Sequence, residues 1–175
     1  MNNKQLTFFS QESEFVNPAA CESLKPKAWK MHIDGASRNN PGPSGAGFCL
    51  TRLDETVCEQ GFFLGKCTNN QAEYLALLVG LHFVHEFVDK NEHLTIYSDS
   101  QLLVRQMNKM YKIRDPLLKK MQLLVDEMLR GYSVIFCHVY REYNVRADLL
   151  ANRGIDKKVP LPKRFLDILS QHEIF

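Results

Sequence analysis

The stretch Trp29-Lys-Met-His-Ile-Asp-Gly-Ala-Ser-Arg-Asn-Asn-Pro-Gly-Pro-Ser-Gly-Ala-Gly47 decides how the rest of the chain is read. Trp29, Met31 and Ile33 alternate with Lys30, His32 and Asp34, the two-residue period of a strand with one buried face. Asp34 thereby falls on the polar side, at a strand end. Four glycines and two prolines between Gly35 and Gly47 predict a turn segment. Phe48-Cys-Leu-Thr-Arg-Leu53 and Val57-Cys-Glu-Gln-Gly-Phe-Phe-Leu64 then predict two further strands, so the first three strands form an antiparallel meander.

Downstream the period changes to that of helices. Asn69 or Asn70 can cap a helix carrying Tyr74, Leu77, Leu78, Leu81, Val84 and Val88 at helical spacing, with Glu73 in its first turn. Leu94-Thr-Ile-Tyr-Ser98 is a short strand closed by Asp99, and helical spacing resumes from Gln101 to Met110. Pro116 suits the first turn of another helix, with Leu117, Leu118, Met121, Leu124, Val125 and Met128 as its buried stripe and Gly131 ending it. Ser133 to Tyr140 alternates as a fifth strand, and Asn144 opens a helix with Asp148 early on it. After Gly154, Lys157-Lys158 and two prolines precede an amphipathic piece, Phe165 to Leu169, expected to pack back on the domain. The organisation is therefore a leader over 1–27, one folded domain over 28–154 and a helical extension over 155–175.

The chain has 175 residues and 20.2 kDa, the size of about one domain. With 45% apolar and 24% charged residues it is neither disordered nor collagen-like in composition. A net charge of +2 neither demands nor forbids a polyanionic partner, so local charge has to decide. No apolar run approaches the roughly 18–20 residues of a spanning helix, and the N-terminus lacks the apolar core of a signal peptide. The expectation is a cytoplasmic protein. Five cysteines, Cys21, Cys49, Cys58, Cys67 and Cys137, have irregular spacings without a CxxC pair, which points to free thiols.

Four carboxylates, Asp34, Glu73, Asp99 and Asp148, each lie where backbone regularity changes, and such positions converge at one end of a sheet. Four clustered acids repel one another unless hard cations neutralise them, and Mg²⁺ prefers carboxylate oxygen supplemented by water and phosphate. The implied chemistry is metal-assisted phosphoryl transfer.

The words around these acids are more specific than the acids. Asp34-Gly-Ala-Ser-Arg-Asn-Asn-Pro-Gly-Pro-Ser-Gly-Ala-Gly, Thr68-Asn-Asn-Gln-Ala-Glu-Tyr, Ser98-Asp-Ser-Gln and His138-Val-Tyr-Arg-Glu-Tyr-Asn-Val-Arg-Ala-Asp-Leu-Leu-Ala-Asn together resemble the type 1 ribonuclease H family over about residues 28–153. The resemblance implies an α/β fold of the RNase H type, a five-stranded mixed sheet in the order 3-2-1-4-5 flanked by helices on both faces. It also implies an endoribonuclease that hydrolyses the RNA strand of RNA:DNA hybrids. The family's metal-binding acids carry over onto Asp34, Glu73, Asp99 and Asp148. Two Mg²⁺ ions, for which Mn²⁺ substitutes, then activate a water and stabilise the leaving 3′-oxygen, giving 3′-hydroxyl and 5′-phosphate ends. No serine or cysteine has to act as a nucleophile.

Cutting only the RNA of a hybrid requires sensing 2′-hydroxyls on one strand. The family's substrate contacts carry over onto the backbone of Gly35, Ala36 and Ser37 and onto Asn40, Thr68, Asn69, Asn70 and Gln101. Arg105, Lys109, Lys112, Arg114, Lys119 and Lys120 form a basic strip against the single acid Asp115, suited to phosphates. Two departures from the family stand out. The run from Met110 to Pro116 is too short for the extra basic helix that some relatives use as a substrate handle. The segment Tyr140 to Ala147 lacks the loop histidine of many relatives and resembles the short-loop branch, with Glu142 or Arg146 as supporting candidates and His138 structural. Gln5-Leu-Thr-Phe-Phe9 resembles a sliding-clamp-binding peptide. The expected state is a monomer. The rivals are a binding module with a decayed site, against which all four acids are present; an exonuclease or resolvase, which the turn words around Asp34 and Glu73 fit poorly; and a domain related to the RNase H of a reverse transcriptase, against which no polymerase segment is expected in this sequence.

Overall fold

In the computed structural model of the chain, which describes residues 29–174, the opening alternation becomes strand β1 (Trp29–Ser37), with Trp29, Met31 and Ile33 buried. It is followed by β2 (Gly42–Arg52), β3 (Glu55–Cys67), helix α1 (Asn69–Phe87), β4 (His93–Ser98), α2 (Gln101–Met107), α3 (Pro116–Met128), β5 (Ser133–His138), α4 (Val145–Lys157) and α5 (Lys163–Gln171). The strands form one sheet in the order β3-β2-β1-β4-β5, as the resemblance implied. β1 to β3 pair antiparallel, whereas β4 and β5 join β1 in parallel. Residues 1–28, and with them the Gln5–Phe9 peptide and Cys21, lie outside the described residues.

Several local expectations are corrected. Gly35 to Gly47 is mostly strand, with a turn only over 38–41. Its glycines serve close approach: a Cβ on Gly47 would lie 2.2 Å from the Ala147 carbonyl oxygen on α4, and one on Gly35 would lie 2.2 Å from Ala72 and Glu73 backbone atoms on α1. These two helices thereby sit on opposite faces of the sheet. α4 runs past residue 154, the bound expected for the domain, to Lys157, and Gly154 admits the Phe62 backbone of β3 against the helix. The helix after Asp99 stops at Met107 and the fifth strand at His138, three and two residues before the positions the spacing suggested.

From Ala72 to Leu81 every residue of α1 is buried, so this helix is the centre of the core. The sheet covers it on one side; α5 sends in Phe165 and Leu169, both fully buried, with the Phe165 ring 5.6 Å from that of His82. The core is continuous from Trp29 to Ile174, and α5 belongs to it. Cys49, Cys58 and Cys67 are free thiols; Cys137 is not among them. Among the described residues no helix is long and apolar enough to cross a membrane.

Candidate active site

Asp34 sits near the end of β1 and Asp99 just beyond β4, the next strand in parallel. The pairing of these strands ends at His32 and Tyr97, so the two acids stand where the strands part, at the carboxyl end of the sheet where open α/β folds place their ligands. Glu73 reaches them from α1. The helix starts at Asn69, capped by Thr68, whose hydroxyl accepts from the Gln71 amide while Gln71 returns a bond to the Thr68 amide. Neither Asn69 nor Asn70 is the cap, and Glu73 lies in the second turn rather than the first. The second turn is what the site needs, because it brings the carboxylate beside the Gly35 amide, which donates to Glu73 Oε2 at 3.2 Å.

One carboxylate oxygen each from Asp34, Glu73 and Asp99 lies within 4.8 Å of the others. Asp34 and Glu73 are 5% exposed. Burial, followed by the charges of Asp99 and Asp148, pushes the Asp34 carboxyl up to about 7. Burial and then the charges of Asp34 and Asp99 push Glu73 well above the usual range, against the pull of the Gly35 amide. Burial and mutual repulsion disfavour the charged forms of Asp34 and Glu73 unless a cation neutralises them, and an all-oxygen donor set fits a hard divalent ion. The residues present therefore fit the metal that the sequence implied.

Asp148, in the first turn of α4, lines the same cavity of about 460 Å³ but stands outside the tight cluster. The Arg141 guanidinium holds its Oδ1 at 2.7 Å, and the Asn152 side chain, one turn on, donates to its backbone carbonyl at 3.0 Å. Arg141 belongs to a short 3₁₀ turn, Arg141–Tyr143, between β5 and α4. Sequence reasoning missed Arg141, Asn152 and Arg38 as lining residues. It weighed the neighbours Glu142 and Arg146 instead, yet Arg146 is occupied by a two-pronged pairing with Glu59 on β3, and Glu142 does not line the cavity. The available signal for Arg141 was a cation seven residues before Asp148, in the turn that leads into α4.

The expected substrate residues divide in two. Gly35, Ala36, Ser37 and Asn69 line the cavity. Asn40, Thr68, Asn70 and Gln101 lie outside its lining, and two of them have local tasks: Asn40 Oδ1 accepts from the Asn69 amide at 2.9 Å, and Thr68 caps α1. Asn70 and Gln101 are exposed in the first turns of α1 and α2. His138 ends β5 and bonds through Nε2 to the Asp99 backbone carbonyl at 3.2 Å, the structural part expected of it.

Comparison with known proteins bears directly on this arrangement. Residues 32–154 match a family model described as reverse transcriptase-like. A ribonuclease HI of Halobacterium salinarum is 39% identical over 127 residues, 71% of this chain and 63% of that relative. The crystal structure of a ribonuclease H1 from the same organism is 37% identical with a TM-score of 0.70, covering 74% of this chain and 98% of the other. The chain belongs to the type 1 ribonuclease H family. Another ribonuclease H1, LC11, solved in complex with an RNA/DNA hybrid, is 36% identical with a TM-score of 0.71, over 74% of this chain and 97% of the other. The chain spans 63% of the length of the curated Halobacterium protein and 35% of that of a bifunctional mycobacterial relative. As a type 1 ribonuclease H it lacks the substrate-handle helix: among the described residues no helix intervenes between Met107 and Pro116.

Proposed function

We propose that this protein is an endoribonuclease that hydrolyses the RNA strand of RNA:DNA hybrids, acting as a monomer in the cytoplasm and leaving 3′-hydroxyl and 5′-phosphate ends. The observation that carries this reading is the convergence of Asp34, Glu73 and Asp99 within 4.8 Å, with Asp148 across the same cavity. Mg²⁺ ions, or Mn²⁺ in their place, held by these carboxylates would supply an activated water and stabilise charge on the leaving oxygen. The chain's own groups do the rest. The Gly35 amide keeps Glu73 pointed into the cluster, and Arg141 and Asn152 hold Asp148 at its edge. The β1 end, Gly35 to Ser37, presents backbone to the cavity where a ribose would lie, and the close packing of Gly35 on α1 keeps that edge free of side-chain bulk.

The test is cleavage of a labelled RNA:DNA hybrid of about 20 base pairs in Mg²⁺ or Mn²⁺. The RNA strand alone is cut, cleavage stops on chelation, and Asp99→Asn lowers the rate at least about a hundredfold, as removal of a metal ligand should. Hybrid binding without cleavage in either metal would replace this reading with that of a binding module.

A further inference from the structure

Asn144 stands where a helix cap is expected, immediately before α4, yet its side chain makes no capping bond. It turns inward instead and is 1% exposed. Its Nδ2 donates twice, to the Asp99 carboxylate oxygen Oδ1 at 2.9 Å and to the Ile33 backbone carbonyl at 2.9 Å. Its Oδ1 faces His32 Nδ1 at 3.4 Å. The His32 ring is in turn stacked on Tyr97, with centroids 4.7 Å apart. The amide joins the backbone of β1, one residue before Asp34, to the Asp99 carboxylate beyond β4.

This arrangement leaves little choice of orientation. Both Nδ2 protons meet acceptors that cannot donate, so a flipped amide would set its oxygen against the Ile33 carbonyl and the Asp99 carboxylate at once. The oxygen must therefore face His32, whose Nδ1 carries the proton. A capping asparagine uses its oxygen on a helix amide; this one uses its nitrogen on an acid 45 residues away. Cap chemistry does not account for it. Groups that hydrogen-bond a ligating carboxylate fix which oxygen and which direction it offers to a cation.

We propose that Asn144 is a positioning residue for the metal site: it engages Asp99 Oδ1 so that Oδ2 is presented to the cluster, and His32 fixes the orientation of the amide that does so. The inference rests on the metal-site reading of the preceding subsection and deepens it. His138, bonded to the Asp99 backbone carbonyl, pins the main chain of the same acid from β5, so carboxylate and backbone are held by separate elements.

The test is calorimetric titration of Mn²⁺ into wild-type protein, Asn144→Ala and His32→Phe, without substrate and well below the melting temperature of each, followed by kinetics on the hybrid. Asn144→Ala is expected to weaken Mn²⁺ binding about 10–100-fold, the usual effect of losing such a partner. His32→Phe keeps a ring beside Tyr97 but frees the amide to turn, and is expected to weaken binding about 2–10-fold, the worth of one hydrogen bond. In both variants kcat at a fixed Mn²⁺ concentration falls while KM for the hybrid stays, and raising Mn²⁺ restores the rate. A purely structural asparagine would lower the melting temperature and leave Mn²⁺ affinity alone. Wild-type affinity in a folded Asn144→Ala protein overturns the proposal; if that variant does not fold, wild-type affinity in His32→Phe overturns it. Absence of Mn²⁺ binding by the wild-type protein overturns the metal-site reading itself, and this proposal with it.

Discussion

Glu92 shows how much one side chain holds at the residue scale. The Trp29 indole donates to its Oε2 at 2.8 Å, and Arg52, which also lies over the Trp29 ring at 5.0 Å, pairs with its Oε1 at 2.6 Å. The indole bond, with help from the Asp89 amide and Arg52, holds the Glu92 carboxyl below its ordinary value. A carboxylate whose folded value is depressed stabilises the protein above its unfolded value and loses that contribution as pH falls through the folded one. Glu92→Gln is therefore expected to lower the melting temperature by a few degrees at pH 7, on the scale of about 1 kcal/mol. Thermal melts at stepped pH should show the gap to wild type narrowing as pH falls below about 4.5; a gap independent of pH would mean that packing, not charge, carries the effect. Residue types were legible in the sequence here and pairings were not. The four acids announced themselves by position, whereas Asn144 looked like a cap, because a cap and an inward amide are the same residue before the same helix. What separates them is the carboxylate of Asp99, brought there by tertiary structure.

At the scale of elements, the sheet was legible because period-two alternation and parallel crossovers leave few arrangements. The glycines were misread as turn formers for a physical reason: glycine is required both where the chain bends and where a helix lies on a strand without side chains between them. Gly45, Gly47 and Gly61 are of the second kind and form the floor on which α4 rests. A Cβ on Gly61 would lie 1.8 Å from the Leu150 carbonyl oxygen, which is helix backbone and cannot swing aside. Gly61→Ala must therefore lift α4, and Asp148 with it. The expected cost is about 1–3 kcal/mol of stability, visible in denaturant melts, together with a fall in hybrid cleavage larger than the stability loss explains. An unchanged melt would show that the seam has slack and that α4 is set by its ends.

At the scale of the whole molecule, the nearly neutral total charge hides an uneven distribution. Between α2 and α3 the chain turns through its basic strip and leaves a groove of about 480 Å³ in which Lys109, Lys112 and Lys119 surround Tyr111, Ile113 and Leu123. Lys109 is paired with Asp126 and Lys120 with Glu173, and Arg105 packs on the Tyr111 ring and bonds its hydroxyl. Lys112, Arg114 and Lys119 are exposed, and among the described residues no carboxylate pairs with them. α2 runs from this corner back to Ser100 at the cavity rim, so one duplex could lie across both. Among the described residues no handle helix lies between Met107 and Pro116, so on the proposed function this corner is expected to grip phosphate without regard to sequence. Each phosphate contact adds about 0.9 to the slope of log affinity against log salt on B-form duplexes. Binding of the hybrid to an Asp99→Asn protein, measured by anisotropy from about 50 to 200 mM salt, should weaken steeply. Adding Lys112→Gln and Lys119→Gln should flatten the slope by about 1–2 units and weaken binding most at low salt. If slope and affinity both stay where they were, the duplex does not cross this corner, and among the described residues the cavity rim, lined by the cations Arg38 and Arg141, is the next place to look for the grip.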